Sequence, residues 1–327
     1  MLKTLARASV AAAMCCLAGA ATAADVTIRF PVEYALDITP GRANQEFKKL
    51  VEERSDGRIE VTLYPSGSLY KGLDLLQAVL RGDAEMTTLI SAYWSALAPK
   101  SAVSELPYAF PTRESFYNAI DDGFFTKAYA EAEAKGAKLI AVLPFDYLVP
   151  GTRATPLRKP EDFAGLKFRG LGKVNLEMLK LFGATPVSIN FVEISPAIQQ
   201  GLIDALNVPT DSYTIYDWQE DIRNVNYAPY YIAFYPWMVN AKWWASLDPE
   251  LQEIIQTAAV EVAEKNRVAA EEAANQALED LRGLGVDVHV QTPEEIEAWS
   301  KAAQPVWDQF AGQIGEELID ALKSYQQ

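Results

Sequence analysis

The sequence has 327 residues, half of them hydrophobic and 22% charged, with a formal net charge of −15. That composition excludes a disordered, collagen-like or coiled-coil chain and is enough for two domains of ordinary size. The acidity argues against nucleic-acid backbones, whose binding needs clustered Lys and Arg. One histidine, His289, and two adjacent cysteines, Cys15 and Cys16, leave no ligand set for a His/Cys zinc site and restrict any catalytic triad to that histidine. No metal and no cofactor are expected.

Residues 1–24 read as a signal peptide. Lys3 and Arg7 form a positive start, Ala8 to Ala21 an apolar stretch, and Ala21-Thr22-Ala23 a small-x-small cleavage site, with cleavage after Ala23 or Ala24. The stretch is shorter than the ~20 residues that span a bilayer. A buried N-terminal helix and a lipoprotein modified on Cys15 are the competing readings. Cleavage removes both cysteines, and losing the +2 of Lys3 and Arg7 takes the charge from −15 to −17.

Along the rest of the chain, strands are expected at Val26–Phe30 and Ile59–Leu63, separated by a helix with Thr39 as N-cap and Pro40 at its first position, stopped by Ser55-Asp56-Gly57. A helix from Leu73 to Leu80, a strand from Met86 to Leu89, two helical segments between Arg113 and Lys135 and a strand Ala137–Leu143 follow. This alternation predicts an α/β unit with a largely parallel sheet. Pro156–Pro160 reads as a crossing segment. A second set then begins: strand Leu166–Arg169, helix Val174–Phe182, strand Thr185–Ser188, helix Glu193–Gln200 closed by Gly201, and strand Ile203–Val208. Tyr227–Asn240 reads as one long strand or two short ones.

Asp248-Pro249 opens a helix whose next breaker is Gly283. About 33 residues at 1.5 Å each span roughly 50 Å, more than one small domain, so this helix should brace both lobes. Thr292-Pro293-Glu294-Glu295 is a capping box for a closing helix. The organisation expected is 25–145 as one lobe and 146–226 as the other, each completed by parts of 227–327.

The sequence holds no Walker loop, G-x-G-x-x-G, G-x-S-x-G or H-E-x-x-H motif. Paired acids such as Asp121-Asp122 and Glu294-Glu295 read as solvated faces or helix starts. Aromatic residues gather at expected element ends, Tyr34, Tyr93, Trp94, Phe145, Tyr147, Phe191, Tyr213, Trp218, Tyr235 and Trp237 among them. Singly each is as well explained by core packing; together they suit a cleft that encloses a small ligand. Arg169 ends an expected strand, where its guanidinium offers forked donors to a carboxylate or makes a structural ion pair.

Several segments, spaced through nearly the whole chain after residue 24, resemble the solute-binding subunits of tripartite ATP-independent periplasmic (TRAP) transporters, of the C4-dicarboxylate-binding type. They are Phe47 to Ile59 followed by Tyr64-Pro65-Ser66-Gly67-Ser68-Leu69; Glu105-Leu106-Pro107-Tyr108-Ala109-Phe110; Lys159 to Arg169, which resembles the family's PEDLKGLKIR signature; Phe182-Gly183-Ala184-Thr185-Pro186-Val187; and Ala197-Ile198-Gln199-Gln200-Gly201-Leu202-Ile203-Asp204. The resemblance implies a two-lobed periplasmic-binding-protein-like α/β fold with crossing strands, a periplasmic location, membrane permease subunits as partners and no enzymatic activity. It makes Arg169 the carboxylate anchor and Phe191 a packing wall, places Asn207 in a polar stretch that orients the ligand, and puts Glu33 and the loop of Ser91, Tyr93 and Trp94 toward the cleft. Tyr147, Leu148 and Trp237 complete the expected binding set. Leu148 stands where many members carry a second arginine, and the loop Gly170-Leu171-Gly172-Lys173 is shorter than usual. These departures favour an organic acid with one carboxylate and an apolar or aromatic body. A cationic amine or betaine held by Glu33 or Asp146, and a secreted carboxylate-dependent hydrolase, are the alternatives.

Overall fold

The computed structural model describes residues 24–326. The signal-peptide reading therefore falls, except for Ala24, outside the described residues. Eleven strands are present among them: β1 (Val26–Pro31), β2 (Ile59–Tyr64), β3 (Met86–Thr88), β4 (Ala137–Tyr147), β5 (Val149–Thr152), β6 (Lys167–Gly170), β7 (Thr185–Ser188), β8 (Ala205–Val208), β9 (Asn224–Tyr227), β10 (Ile232–Asn240) and β11 (Asp287–Val290). They make a parallel pair β1-β2, a three-stranded sheet β3-β10-β4 and a six-stranded sheet β11-β9-β5-β8-β6-β7. The first two sheets build one lobe and the third builds the other.

The expected largely parallel sheet is replaced by mixed ones, and the crossing strands are the reason. β4 runs through Leu148 straight into β5, which belongs to the other sheet and lies antiparallel to β8 and β9. β10 returns from β9 through Ala228–Tyr231 and inserts antiparallel between β3 and β4. The first crossing is thus at Leu148, not at Pro156–Pro160. All nine residues of β10 are buried, as an inserted central strand requires. Pro236, which cannot donate to a ladder, lies just beyond β3, whose pairing reaches only Trp237–Val239.

The long helix is Pro249–Gly283, 35 residues, or about 52 Å. It packs on β4 in one lobe and approaches β11 in the other. Its buried stripe begins with Leu251 and Ile255 and continues through Ala258, Ala259, Ala263, Ala270, Ala274 and Ala277. These small side chains let the helix lie close to the strands it crosses. Asn266 Nδ2 donates to Pro144 O at 2.5 Å, satisfying a carbonyl on the outer edge of β4. The first helix starts at Thr39, but Ile38 is its N-cap and Thr39 does not cap it. The Thr39 hydroxyl instead donates to Asp211 Oδ2 at 3.0 Å. The Thr292 capping box is present as expected. Three helical segments, not two, lie between Arg113 and Ala134. Among the described residues no helix is long and apolar enough to cross a membrane.

Candidate functional site

The two lobes face each other across a cleft whose floor is made where the strands cross. β6 carries Arg169 into it. Alternation turns Phe168 the other way, stacked on Phe163 at 5.2 Å, and leaves Arg169 2% exposed. Arg169 Nη1 reaches Asn207 O at only 3.4 Å, and Nε has no hydrogen-bond partner. Asn207, on neighbouring β8, is fully buried; its Nδ2 points to Asn175 Oδ1 at 3.4 Å and its Oδ1 is unpartnered. Asn175 is itself fixed by Leu171 N and the Tyr230 hydroxyl, both at 3.0 Å.

The other lobe contributes Glu33, just past β1. Its Oε1 accepts the Gly72 N–H at 2.5 Å. Burial raises the Glu33 carboxyl above its ordinary range, while the Gly72 N–H and the nearby Arg169 charge pull it down. Tyr93 faces the same space; burial raises its hydroxyl, and Arg169 again opposes the shift. Tyr34 and Tyr235 meet edge to face at 4.9 Å. The Tyr34 hydroxyl is shared with Thr88 Oγ1 and accepts from Asn44 Nδ2 at 2.9 Å. On the far wall Phe191 leans on Tyr216 and Trp218, at 5.2 and 5.6 Å.

The space between these groups is about 410 Å³, its open margin included. A buried guanidinium with donors to spare, an acid opposite and aromatic walls can hold a small polar molecule by one charged end and one donor group. Among the described residues no cluster of three His, Cys, Asp or Glu could hold a metal ion.

Of the residues singled out from the sequence, Glu33, Tyr34, Tyr93, Leu148, Arg169, Phe191, Asn207 and Tyr235 line this cleft. Ser91, Trp94, Tyr147 and Trp237 do not. Ser91 Oγ is bonded to the Tyr231 hydroxyl at 2.5 Å behind the wall. Trp94 is fully buried, donating to Leu89 O at 3.0 Å. Tyr147 packs on Tyr227 beneath the Arg113 guanidinium. Trp237 sits in the core against Phe30 and Phe47. Asp146 is held by Arg113 at 2.5 Å and by the Tyr147 and Thr210 amides, outside the cleft lining. Arg153 pairs with Asp221 at 3.2 Å and with Ile198 O, also outside it. The cleft also uses Thr88, Leu171, Val208 and Pro209, not expected as site residues. Leu171 was accessible to strand reasoning, being two residues beyond Arg169 on the same face; nothing in the sequence marks Thr88.

Residues 34–313 match the family model of bacterial extracellular solute-binding protein, family 7. The chain is 28% identical over 307 residues to the C4-dicarboxylate-binding periplasmic protein DctP of Rhodobacter capsulatus, covering 93% of this chain and 92% of that one. It is 27% identical over 295 residues to the ectoine-binding periplasmic protein TeaA of Halomonas elongata, covering 86% and 84%. Its fold matches the crystal structure of a TRAP periplasmic solute-binding protein from Ochrobactrum anthropi with a TM-score of 0.83 and 26% identity, over 92% of this chain and 95% of that one. With the family model spanning both lobes and the cleft between them, the chain belongs to family 7 of the bacterial extracellular solute-binding proteins, as a periplasmic, non-catalytic component of TRAP-type transport.

Proposed function

We propose that the protein captures a small organic acid carrying one carboxylate and an apolar or aromatic body, and delivers it to TRAP-type membrane permease subunits after export and removal of residues 1–24. Residues 25–145 and 146–226, each completed by parts of 227–327, act as the two closing lobes. Arg169 anchors the carboxylate, Asn207 orients it, and Phe191 with Tyr235 forms the walls. The observation that carries this reading is the state of Arg169: it is buried, and only one long bond to a carbonyl engages it. A buried cation with no carboxylate in ion-pair contact is costly, and a ligand carboxylate relieves that cost. Leu148, 1% exposed on the lining, offers a second carboxylate nothing.

Glu33 supports a narrower version. Only its Oε1 is engaged, and it faces the same space as Arg169. A ligand with an N–H or O–H donor besides its carboxylate, such as a zwitterion or a hydroxy acid, satisfies both groups, and TeaA is by name an ectoine-binding relative. Asp146, engaged by Arg113, plays no such part.

Thermal-shift screening of purified protein against branched and aromatic monocarboxylates, hydroxy acids, zwitterions, succinate, malate and sialic acid tests this. Ligand at 100 times its dissociation constant adds ~2.7 kcal/mol of stability, and the first three classes should give the largest shifts. Arg169→Ala should weaken the best hit by roughly 30-fold or more, since losing one partner of a buried charge pair costs ~2–5 kcal/mol. Arg169→Lys should also bind poorly. Wild-type affinity in Arg169→Ala, or hits confined to dicarboxylates, overturns the proposal.

A further inference from the structure

Two glycines lie where the lobes touch, one contributed by each. Gly72, between β2 and the helix Leu73–Arg81, has φ +55. A methyl group built on it would run into Asn190 Oδ1 of the opposite lobe. Gly172, at the start of the helix Gly172–Leu181, has φ +68. A methyl group there would lie 2.5 Å from Ala92 O and 2.9 Å from Ala92 Cβ, again across the lobes. Both separations are far inside van der Waals contact; at Gly172 the obstacle is the Ala92 backbone, which cannot step aside, and at Gly72 it is the end of the Asn190 side chain.

Their placement gives these contacts meaning. Asn190 immediately precedes Phe191, Ala92 precedes Tyr93, and Gly172 follows Leu171; all three neighbours line the cleft. Gly72 also donates its N–H to Glu33. The two close approaches therefore flank the ligand space, one beside the Glu33–Phe191 edge and one beside the Tyr93–Leu171 edge. At the rim by Gly72, Lys71 and Glu193 come to 4.0 Å with both side chains about half exposed, a weak pair that cannot set a distance. The Gly172 backbone against that of Ala92 can, and the buttress of Asn190 against Gly72 adds a second stop.

We infer that Gly72 and Gly172 are closure-setting residues: the missing side chains fix how far the lobes come together, and so control ligand retention without touching the ligand. The inference rests on the two-lobed geometry, not on the ligand's identity. A Cβ at either place acts as a wedge.

The sequence has no cysteine beyond Cys16, so spin labels can be introduced cleanly. Exposed Lys49 and Lys180, one on each lobe, become cysteines, and electron–electron resonance reads the interlobe distance with and without a millimolar mixture of succinate, orotate, phenylacetate and glucuronate. The wild type should show a short-distance component. Gly72→Ala and Gly172→Ala should lower the closed-to-open ratio by about tenfold or more, as forcing a methyl into a close-packed contact does. Gly201→Ala, which has φ +65 and nothing within 4 Å of an added methyl, controls for a side chain at positive φ; it should match the wild type. Adding Asn190→Ala should restore closure to Gly72→Ala but not to Gly172→Ala. A wild type with no short component in either sample, a Gly72→Ala distribution like the wild type, an equal shift in Gly201→Ala, or failure of the Asn190→Ala rescue each overturns the inference.

Discussion

Asp211 provides a sharp test of the contacts at the base of the cleft. It lies in the helix Thr210–Ile215 that follows β8, is 6% exposed, and accepts from the Thr39 hydroxyl at 3.0 Å and, weakly, from the Thr39 N–H at 3.4 Å. Burial lifts its carboxyl from the ordinary 3.8 to about 6; the Thr39 hydroxyl bond opposes the rise and the negative Asp146 adds to it. Between those two values the folded chain holds a proton that the unfolded chain has released. Stability contributed by this group is therefore present at low pH and falls as pH rises through the window from about 4 to about 6. Two pH units at ~1.4 kcal/mol each make the penalty at neutral pH about 3 kcal/mol.

Asp211→Asn removes the charge and keeps an oxygen for Thr39. The variant should be more stable than the wild type by about 2–3 kcal/mol at pH 8, with the difference shrinking toward zero by pH 4. Urea unfolding of both proteins across that range measures it. The difference between the two curves is what counts, because acids such as Glu261, held down at about 2 by Arg54 and Lys265, give the whole protein an opposite trend. A difference that is flat with pH, or that favours the wild type at pH 8, would refute the reading of Asp211 as an ionised group buried against its preference.

Arg113→Ala strips Asp146, 1% exposed, of its only ion-pair partner among the described residues; it should destabilise by about 3–5 kcal/mol in urea unfolding, and a loss under 1 kcal/mol would mean that the Thr210 and Tyr147 amides suffice. Trp237→Phe removes an indole N–H that has no partner, so lost packing and relieved desolvation offset each other and the change should stay within about 1.5 kcal/mol, with ligand affinity within about twofold since the residue lies outside the cleft. Trp94→Phe, which breaks the bond to Leu89 O, should cost more, and the reverse order would contradict the placement of the two rings.

Much of this architecture was legible because local chemistry dictates it. Pro249 and Gly283 bound the long helix, and the alternation around Phe168 and Arg169 separates a core residue from a cleft residue. The crossings were not legible. From Leu139 to Gly151 the chain is apolar except for Asp146, and nothing local says that β4 ends its pairing in one sheet and β5 begins in another. That change is set by β10 and β8, whose paired residues come more than 50 positions later. The same nonlocality hides the fate of aromatic residues. Trp94 neighbours Tyr93 in sequence and Trp237 shares β10 with Tyr235, yet packing partners remote in sequence, Phe30 and Phe47 for Trp237, draw the indole inward.

What separates structural from binding charges here is how completely each is satisfied. Arg113 and Arg169 are both arginines withdrawn from solvent. Arg113 has Asp146 at 2.5 Å, the Tyr227 hydroxyl at 3.2 Å, Phe145 O at 3.4 Å and the face of Tyr147 beneath its guanidinium. Arg169 has one carbonyl at 3.4 Å. The acids divide the same way: Asp146 is enclosed by an arginine, two amides and a hydroxyl, while Glu33 is engaged at one oxygen. Folding alone gives no return on an ionised group left short of partners in a low-dielectric site. On the proposed reading, the missing partners of Arg169 and Glu33 arrive with the ligand. The proposal then asks of that ligand an acceptor at the Arg169 end and a donor at the Glu33 end.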